Sequence, residues 1–380
     1  MVLIDFSHLT FRMLYVAIQE ARPKKKNGKY VTNDFKDIFI FLIIQSLINI
    51  KKRHREYGEI IICIDSASKG YWRKDICSMY KSNRAKARDN SDINFEEVFE
   101  VINDLLTNLK LNFPFKIIEI EKTEADDIII VLSKMISESN TGKCLIYSED
   151  KDFFQMLKYP RIDFFRPVAK QWVTLEDKDM KKWLLEHVCL GDKADNVPKI
   201  IDNIYFSDNF KMHLMNFGIT EIDDQMQLDL KFIDNTEPNE LQELQKLKEN
   251  IFSTFTINKK NRKNEDTGEL DIYKDKSFGV STLEKAIKNA NGLDNFLDSH
   301  PYIRKRFEVN KILVLEEHIP EYLKDLILKE FFQPAKEYNL LEIEEFFKKY
   351  QLFKLMPEIN ILLDGFKQKS LNSAADFGWE

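Results

Sequence analysis

Carboxylates recur at the ends of short apolar runs in this chain. Val2-Leu3-Ile4 runs into Asp5, Ile60-Ile61-Ile62-Cys63-Ile64 runs into Asp65, the run 115–120 leads to Glu124, Asp126 and Asp127, and Cys144-Leu145-Ile146-Tyr147 leads to Asp150 and Asp152. Gly191-Asp192-Lys193-Ala194-Asp195-Asn196 adds two more acids. Anions gathered at one place raise each other's pKa, and hard divalent cations with oxygen ligands are the usual remedy. Two such ions about 3.5 to 4 Å apart can activate a water and stabilise the leaving oxygen of an in-line phosphoryl displacement. Several of these groups also have an ordinary explanation. Thr123-Glu124-Ala125-Asp126-Asp127 fits a capping box with acids in the first helical turn, Asp150 and Asp152 fit loop positions or Asx turns, and residues 191–196 fit an ordinary turn, whereas Asp5 and Asp65 directly end strands. What the ordinary explanation leaves unaccounted for is the repetition at strand ends. The six histidines show no paired spacing for zinc, and no catalytic role is assigned to them.

The apolar runs that position these acids are continuous and β-rich, the pattern of strands covered on both faces. Strands are predicted over 2–4, 59–64, 115–120 and 143–147, and helices over 8–19, 34–56, 95–110 and 124–138. The predicted fold is α/β, with a mostly parallel central sheet, helices on both faces, and ligands gathered at its carboxyl edge. After Asp195 the alternation stops. Residues 219–276 read as a polar insertion, helical signals resume over 281–289 and 346–366, and 372–380 reads as a flexible tail. The expected domains are 1–190, carrying the acids and a basic excursion over about 69–95, then a helical 191–366, then the tail 367–380. The apolar stretch 38–50 is too short to span a bilayer and contains Gln45, Ser46 and Asn49, so it reads as a core helix. No signal peptide is expected, since Asp5 interrupts the first apolar run. Four scattered cysteines without a CxxC pair suit a reduced, cytosolic protein.

The net charge of −6 hides a segregation. From Lys69 to Arg88 stand seven cations against one anion, +6, which leaves −12 for the rest of the chain. Tyr71, Trp72 and Tyr80 interleave with Lys69, Arg73, Lys74, Lys81, Arg84, Lys86 and Arg88. That composition fits a single-strand channel in which cations follow phosphates and rings stack on bases.

Ile4-Asp5-Phe6-Ser7, Ile64-Asp65, Thr123-Glu124-Ala125-Asp126-Asp127, Ser148-Glu149-Asp150-Lys151-Asp152 and Gly191-Asp192-Lys193-Ala194-Asp195-Asn196 occur in an order that resembles the 5′ nuclease (flap endonuclease) family. The stretch Ser66-Ala67-Ser68-Lys69-Gly70-Tyr71-Trp72-Arg73-Lys74-Asp75 and its continuation through Arg88 are similar to the bacteriophage branch of that family. The resemblance covers residues 1 to about 200 and about 278 to 365. It implies a PIN-like fold with a helical arch and a smaller helical C-terminal domain. It implies two Mg²⁺ ions, with Mn²⁺ as a substitute: Asp5, Asp65, Glu124 and Asp126 at the first, with Asp127 close by, and Asp150, Asp152, Asp192 and Asp195 at the second. Asp126 is expected near both ions, and Lys81 and Arg84 at the reacting phosphate. The implied activity is metal-dependent 5′ to 3′ exonuclease and flap cleavage of RNA-DNA and DNA duplexes, removing RNA primers in phage lagging-strand replication in the host cytoplasm.

Expected partners are nucleic acid, the sliding clamp and the single-stranded DNA-binding protein, with no membrane and a monomeric chain. Phe377 and Trp379 in the acidic tail are the candidate clamp contacts. The sequence departs from the cellular members after Pro198, where Lys199 stands in place of a glycine-rich turn. Two other readings compete. In a haloacid dehalogenase-type phosphohydrolase, Asp150-Lys151-Asp152 would supply the nucleophile, but Asp5, Asp65, Glu124 and the basic stretch would have no use. A non-catalytic DNA-junction binder would keep the fold without needing intact acids.

Overall fold

The computed structural model describes residues 1–66, 70–77, 80–81, 84, 88–140, 142–192, 194–197, 199–200, 261–263, 270–272, 279–298, 301–334 and 336–368. Its chain divides into two compact units. The first comprises Met1–Tyr71, Ala85–Met180 and Ile319–Glu380, and the second Trp72–Arg84 and Lys181–His318.

The first unit is built on a six-stranded sheet. Its strands are β1 (Val2–Asp5), β4 (Ile60–Cys63), β5 (Lys116–Ile118), β6 (Cys144–Tyr147), β7 (Ile162–Arg166) and β8 (Gln171–Val173), in the order β5-β4-β1-β6-β7-β8. Every pairing is parallel except β7 with β8. Val2, Leu3 and Ile4 are fully buried, as a central parallel strand requires. The register pairs Asp5 with Cys63, Ile4 with Tyr147 and Cys63 with Ile118, so β1, β4, β5 and β6 all end at one edge.

Helices cover the sheet. α1 (Phe6–Ala21) buries Phe6, Leu9, Met13, Leu14 and Ala17, a stripe at helical spacing. α2 (Lys36–Arg53) buries Phe39, Ile40, Ile43, Ile44, Leu47 and Ile48, so the apolar stretch 38–50 is a core helix. Among the described residues no helix is long and apolar enough to cross a membrane. α4 (Phe95–Asn112) and α5 (Ala125–Ser139) follow the predicted spans closely.

Three findings depart from the sequence reading. Between the predicted helices 8–19 and 34–56, where no strand is predicted, stands a two-stranded hairpin of β2 (Lys25–Lys26) and β3 (Lys29–Tyr30). Strands β7 and β8 were not predicted. The helices after Ile319, which the sequence reading joins to residues 191–318, pack instead into the first unit's core. α10 (Glu321–Phe331) buries Leu323 and Ile327, α11 (Leu340–Lys349) buries Ile343, Phe346 and Phe347, and α12 (Ile359–Leu363) buries Ile359, Leu362 and Leu363. The residues of α11 and α12 share one apolar cluster with β1, α2 and α4. Phe113 stands edge-on to Phe346 at 4.9 Å, and Tyr350 donates to Asp104 at 2.6 Å.

The second unit contains α3 (Trp72–Ile76), the part of α6 (Asp177–Leu190) from Lys181 onward, α7 (Val280–Asn289), α8 (Leu293–Leu297) and α9 (Pro301–Val314). Cys189, Ile200, Leu283, Phe296 and Leu297 form its core. The buried Arg73 guanidinium donates to the Leu313 carbonyl at 2.8 Å, and Asn310 donates to Val188 at 2.8 Å. A short antiparallel pair, β9 (Asn261–Lys263) and β10 (Leu270–Ile272), is the described part of the expected insertion.

Candidate metal centre and nucleic-acid residues

In the first unit Asp5, Asp65, Glu124, Asp127 and Asp150 each accept a backbone N–H at a chain turn. Asp5 ends β1 and caps α1, its Oδ1 accepting the His8 N–H at 2.9 Å. Asp65 follows β4, and its Oδ1 accepts the Ala125 N–H at 2.9 Å, at the start of α5. Beside it the Ser66 N–H donates to Thr123 O at 3.0 Å, tying the loop after β4 to that helix start. Glu124 and Asp127 form the reciprocal capping box of α5, the Glu124 N–H donating to Asp127 Oδ2 at 3.0 Å. Asp150 caps the 3₁₀ turn Lys151–Lys158 through the Asp152 N–H at 2.9 Å.

These bonds bring Asp5, Asp65 and Asp126 to the same edge. The Cys63 thiol reports it: burial first, then the charges of Asp5 and Asp126, push its pKa well above the ordinary value. Asp5, Asp65, Asp126, Asp150 and Asp152 are all partly exposed. An all-carboxylate, partly exposed donor set suits a hard divalent cation. Asp127, however, is fully enclosed with its Oδ2 engaged as the capping-box acid, so it is less open to a ligand than Asp126. Glu124 is 2% exposed with its carboxylate engaged by the cap, which leaves it a lesser candidate than its neighbours.

His8 was passed over in the sequence and stands inside this arrangement. Its Nδ1 lies 3.3 Å from Ser148 Oγ, and the Glu149 N–H donates to the same nitrogen at 3.3 Å. Ser148 Oγ in turn accepts the Asp150 N–H at 3.1 Å. Burial lowers the His8 pKa, so the neutral ring serves as acceptor. The ring thus joins the chain after β1 to the chain after β6. A shallow cleft, with room for about one water, opens there, lined by Asp5, His8, Arg12, Ser148, Glu149 and Pro167 among others. The signal available in the sequence was position: three residues beyond a strand-ending acid is the first turn of the next helix, whose side chains lean back over the strand end.

The second unit holds the other two acids and much of the basic stretch. Asp192 and Val197 exchange backbone bonds at 3.0 and 2.7 Å, closing a tight loop, and the Asp192 side chain accepts the Ala194 N–H at 2.6 Å. Asp195 is met by three donors: Arg84 at 2.7 Å on Oδ1, and Lys81 at 3.4 Å with the Tyr80 hydroxyl at 3.1 Å on Oδ2. Of the acids expected at a second metal, Asp150 and Asp152 lie in the first unit and Asp192 and Asp195 in the second.

The expectation of a base-stacking channel is corrected in part. Trp72, Arg73 and Tyr80 are buried, with the Arg73 guanidinium 4.5 Å from the Trp72 ring centre. These rings are core, and the cation that accompanies them is satisfied internally. Tyr71 and Lys74 are half-buried, whereas Arg84 and Arg88 are exposed. Lys69, Lys86, Phe377, Trp379, and the greater part of 219–276 and of the tail lie outside the described residues.

Residues 1–188 match the family described as 5′-3′ exonuclease, N-terminal resolvase-like domain. The chain is similar to ribonuclease H of Enterobacteria phage T4, 39% identical over 200 residues, 52% of this chain and 62% of that protein. It is also similar to the 5′-3′ exonuclease of Mycoplasmopsis pulmonis, 30% identical over 156 residues, 41% of this chain and 44% of that one. The matched stretches thus span 44% to 62% of these relatives' lengths, less than two thirds of either. Among solved structures, a zinc-bound T5 5′-exonuclease aligns over 82% of this chain and 99% of its own, at 16% identity and a TM-score of 0.40.

Proposed function

We propose that the chain, whose residues 1–188 match the family of 5′-3′ exonuclease N-terminal, resolvase-like domains, is a metal-dependent 5′ nuclease that cleaves phosphodiesters at 5′ ends and 5′ flaps. The observation that carries the reading is the convergence of Asp5, Asp65 and Asp126 at the carboxyl edge of β1 and β4. The chemistry divalent ions supply when bound among such acids is water activation and neutralisation of charge on the leaving oxygen. Mg²⁺, with Mn²⁺ as a substitute, is the proposed metal, held first by Asp5, Asp65 and Asp126.

The chain's own residues do the positioning. Helix N–H groups fix the orientation of Asp5 and Asp65, so the acids are held in place before any ligand arrives. His8 locks the loop carrying Asp150 to the helix carrying Asp5. Lys81 and Arg84 are the proposed phosphate-facing cations, acting where negative charge develops. On the same reading the substrates are RNA-DNA and DNA duplexes, the biological task is RNA-primer removal in phage lagging-strand replication in the host cytoplasm, and the chain acts as a monomer. Phe377 and Trp379 are the proposed contacts to a sliding clamp, with the single-stranded DNA-binding protein as a further partner.

The test is a labelled duplex bearing a 5′ RNA-DNA flap, incubated with Mg²⁺ or EDTA. Short 5′ products that require Mg²⁺ and disappear in Asp126→Asn are expected. A flap left intact by wild type under every metal condition would overturn the reading.

A further inference from the structure

Asp195 carries more than a metal-ligand role explains. Both of its oxygens are engaged by groups of the basic stretch: Oδ1 by Arg84, Oδ2 by Lys81 and by the Tyr80 hydroxyl. The Lys81 N–H also donates to the Asp195 carbonyl at 2.9 Å, so the same residue holds Lys81 by its backbone and its ammonium. Lys81 adopts φ 54°, in the left-handed region that a lysine visits only where its surroundings insist. Its side chain is 6% exposed, and an ammonium so enclosed needs a counter-anion close by. The Arg73 guanidinium and the Lys81 ammonium lie 5.9 and 5.1 Å from the Tyr80 ring centre, adding positive charge around the hydroxyl that meets Asp195.

Two cations and a hydroxyl converging on the two oxygens of one anion also form the arrangement that receives a phosphate. We propose that Asp195 is an internal stand-in for a nucleic-acid phosphate, a positioning residue that holds Lys81 and Arg84 in place until a substrate phosphate displaces it. This deepens the 5′ nuclease reading and rests on it for the identity of the ligand. A consequence separates it from a purely metal-binding role. Without metal, Asp195 competes with nucleic acid for its two cations, so removing its charge tightens binding.

The experiment measures binding of a fluorescent single-stranded DNA, in EDTA and over a range of salt, to wild type, Asp195→Asn and Asp192→Asn. The two variants make the same charge change in the same loop, and the Asp192 side chain caps backbone groups. Asp195→Asn is expected to bind about tenfold tighter at low salt, the size of one freed charge-assisted pair. Its log-log salt dependence should be steeper by about 0.7 for each phosphate newly engaged. Asp192→Asn should change affinity less than about twofold, and Asp195→Glu should return toward wild type. Equal tightening by both Asn variants, or no tightening by Asp195→Asn, overturns the proposal.

Should Asp195→Asn fail to fold because Lys81 loses its partner, Lys81→Gln replaces wild type as the background. Adding Asp195→Asn there should still tighten binding through the exposed Arg84, by about threefold, and no change overturns the proposal. Because no metal is present, the result does not depend on cleavage. Failure of the nuclease reading would appear as an uncut flap in Mg²⁺, independently of how the EDTA binding compares.

Discussion

Substituting Asp65 separates a capping role from a metal-binding one. Its Oδ1 accepts the Ala125 N–H at 2.9 Å, and its charge belongs to the proposed metal set. Asp65→Asn keeps a carbonyl oxygen for Ala125 and removes the charge, whereas Asp65→Ala removes both. A hydrogen bond to a charged acceptor at a helix start contributes about 1.5 kcal/mol. For a unit of this size each kcal/mol shifts the melting temperature by about 2–4 °C. In EDTA, Asp65→Ala should therefore melt about 3–6 °C below wild type. Asp65→Asn should melt close to wild type or above it, since removing one of several converging anions relieves their repulsion. With Mg²⁺ at a hundred times its Kd, wild type should gain about 2.7 kcal/mol, roughly 5–10 °C, and both variants should lose most of that gain. Scanning calorimetry in EDTA and in Mg²⁺ gives all six values. An Mg²⁺ gain as large in Asp65→Asn as in wild type would refute the metal assignment. An Asn variant as unstable in EDTA as the Ala variant would refute the capping argument.

Three further outcomes follow from the packing. Phe347→Ala, at a fully enclosed ring of α11 in the sheet's own apolar cluster, should cost about 3–5 kcal/mol and weaken the sheet with it; hydrogen exchange that speeds up in α11 alone would argue that the helix is a separate body. His54 is buried among Tyr57, Tyr147, Phe165 and Trp172, and burial lowers its pKa from 6.5. The unfolded chain therefore binds the proton more readily, and stability is lost as pH falls through about 6.5. Urea midpoints of His54→Phe should fall less than those of wild type between pH 7 and pH 5, and parallel losses would count against this account. All four cysteines are buried; burial pushes the Cys144 and Cys189 thiols up to about 12 and Cys63 well above its ordinary value. A thiol reagent at pH 8 should react with none of them until denaturant is added, and rapid native labelling at any would contradict their placement.

What the sequence revealed, and what it hid, follows from range. Strands β1, β4, β5 and β6 are continuous apolar runs, visible without knowing their neighbours. β7 is Ile-Asp-Phe-Phe-Arg, and Asp163 breaks its pattern; the aspartate is accommodated because the Tyr57 hydroxyl, 106 residues away, donates to it at 2.6 Å. The helical signal over 346–366 did not show that the N-terminal core covers α11 and α12, since periodicity names a face and not what covers it. The basic stretch was legible as charge. The burial of Trp72 and Arg73 in α3 and of Tyr80 was not, because α3 packs on α9, more than two hundred residues later, and Tyr80 meets Asp195, 115 residues later.

The acids show how a capping reading and a functional reading of one motif can both hold. Asp5, Asp65 and Asp150 each cap a turn, and each remains partly exposed at the sheet edge. A helix start offers N–H groups and a positive dipole end, which offset part of each negative charge and fix the carboxylate's direction. Capping thus lets several anions stand together before any cation arrives, and it leaves an exposed side of each for a ligand. The distinction that matters is enclosure. Asp127 is fully buried with its Oδ2 in the capping box, whereas its neighbour Asp126 keeps solvent contact on the same helical turn. Asn substitution should therefore spare the fold and abolish metal binding at the partly exposed acids, and at Asp127 it should perturb the start of α5 while leaving the metal dependence of activity in place.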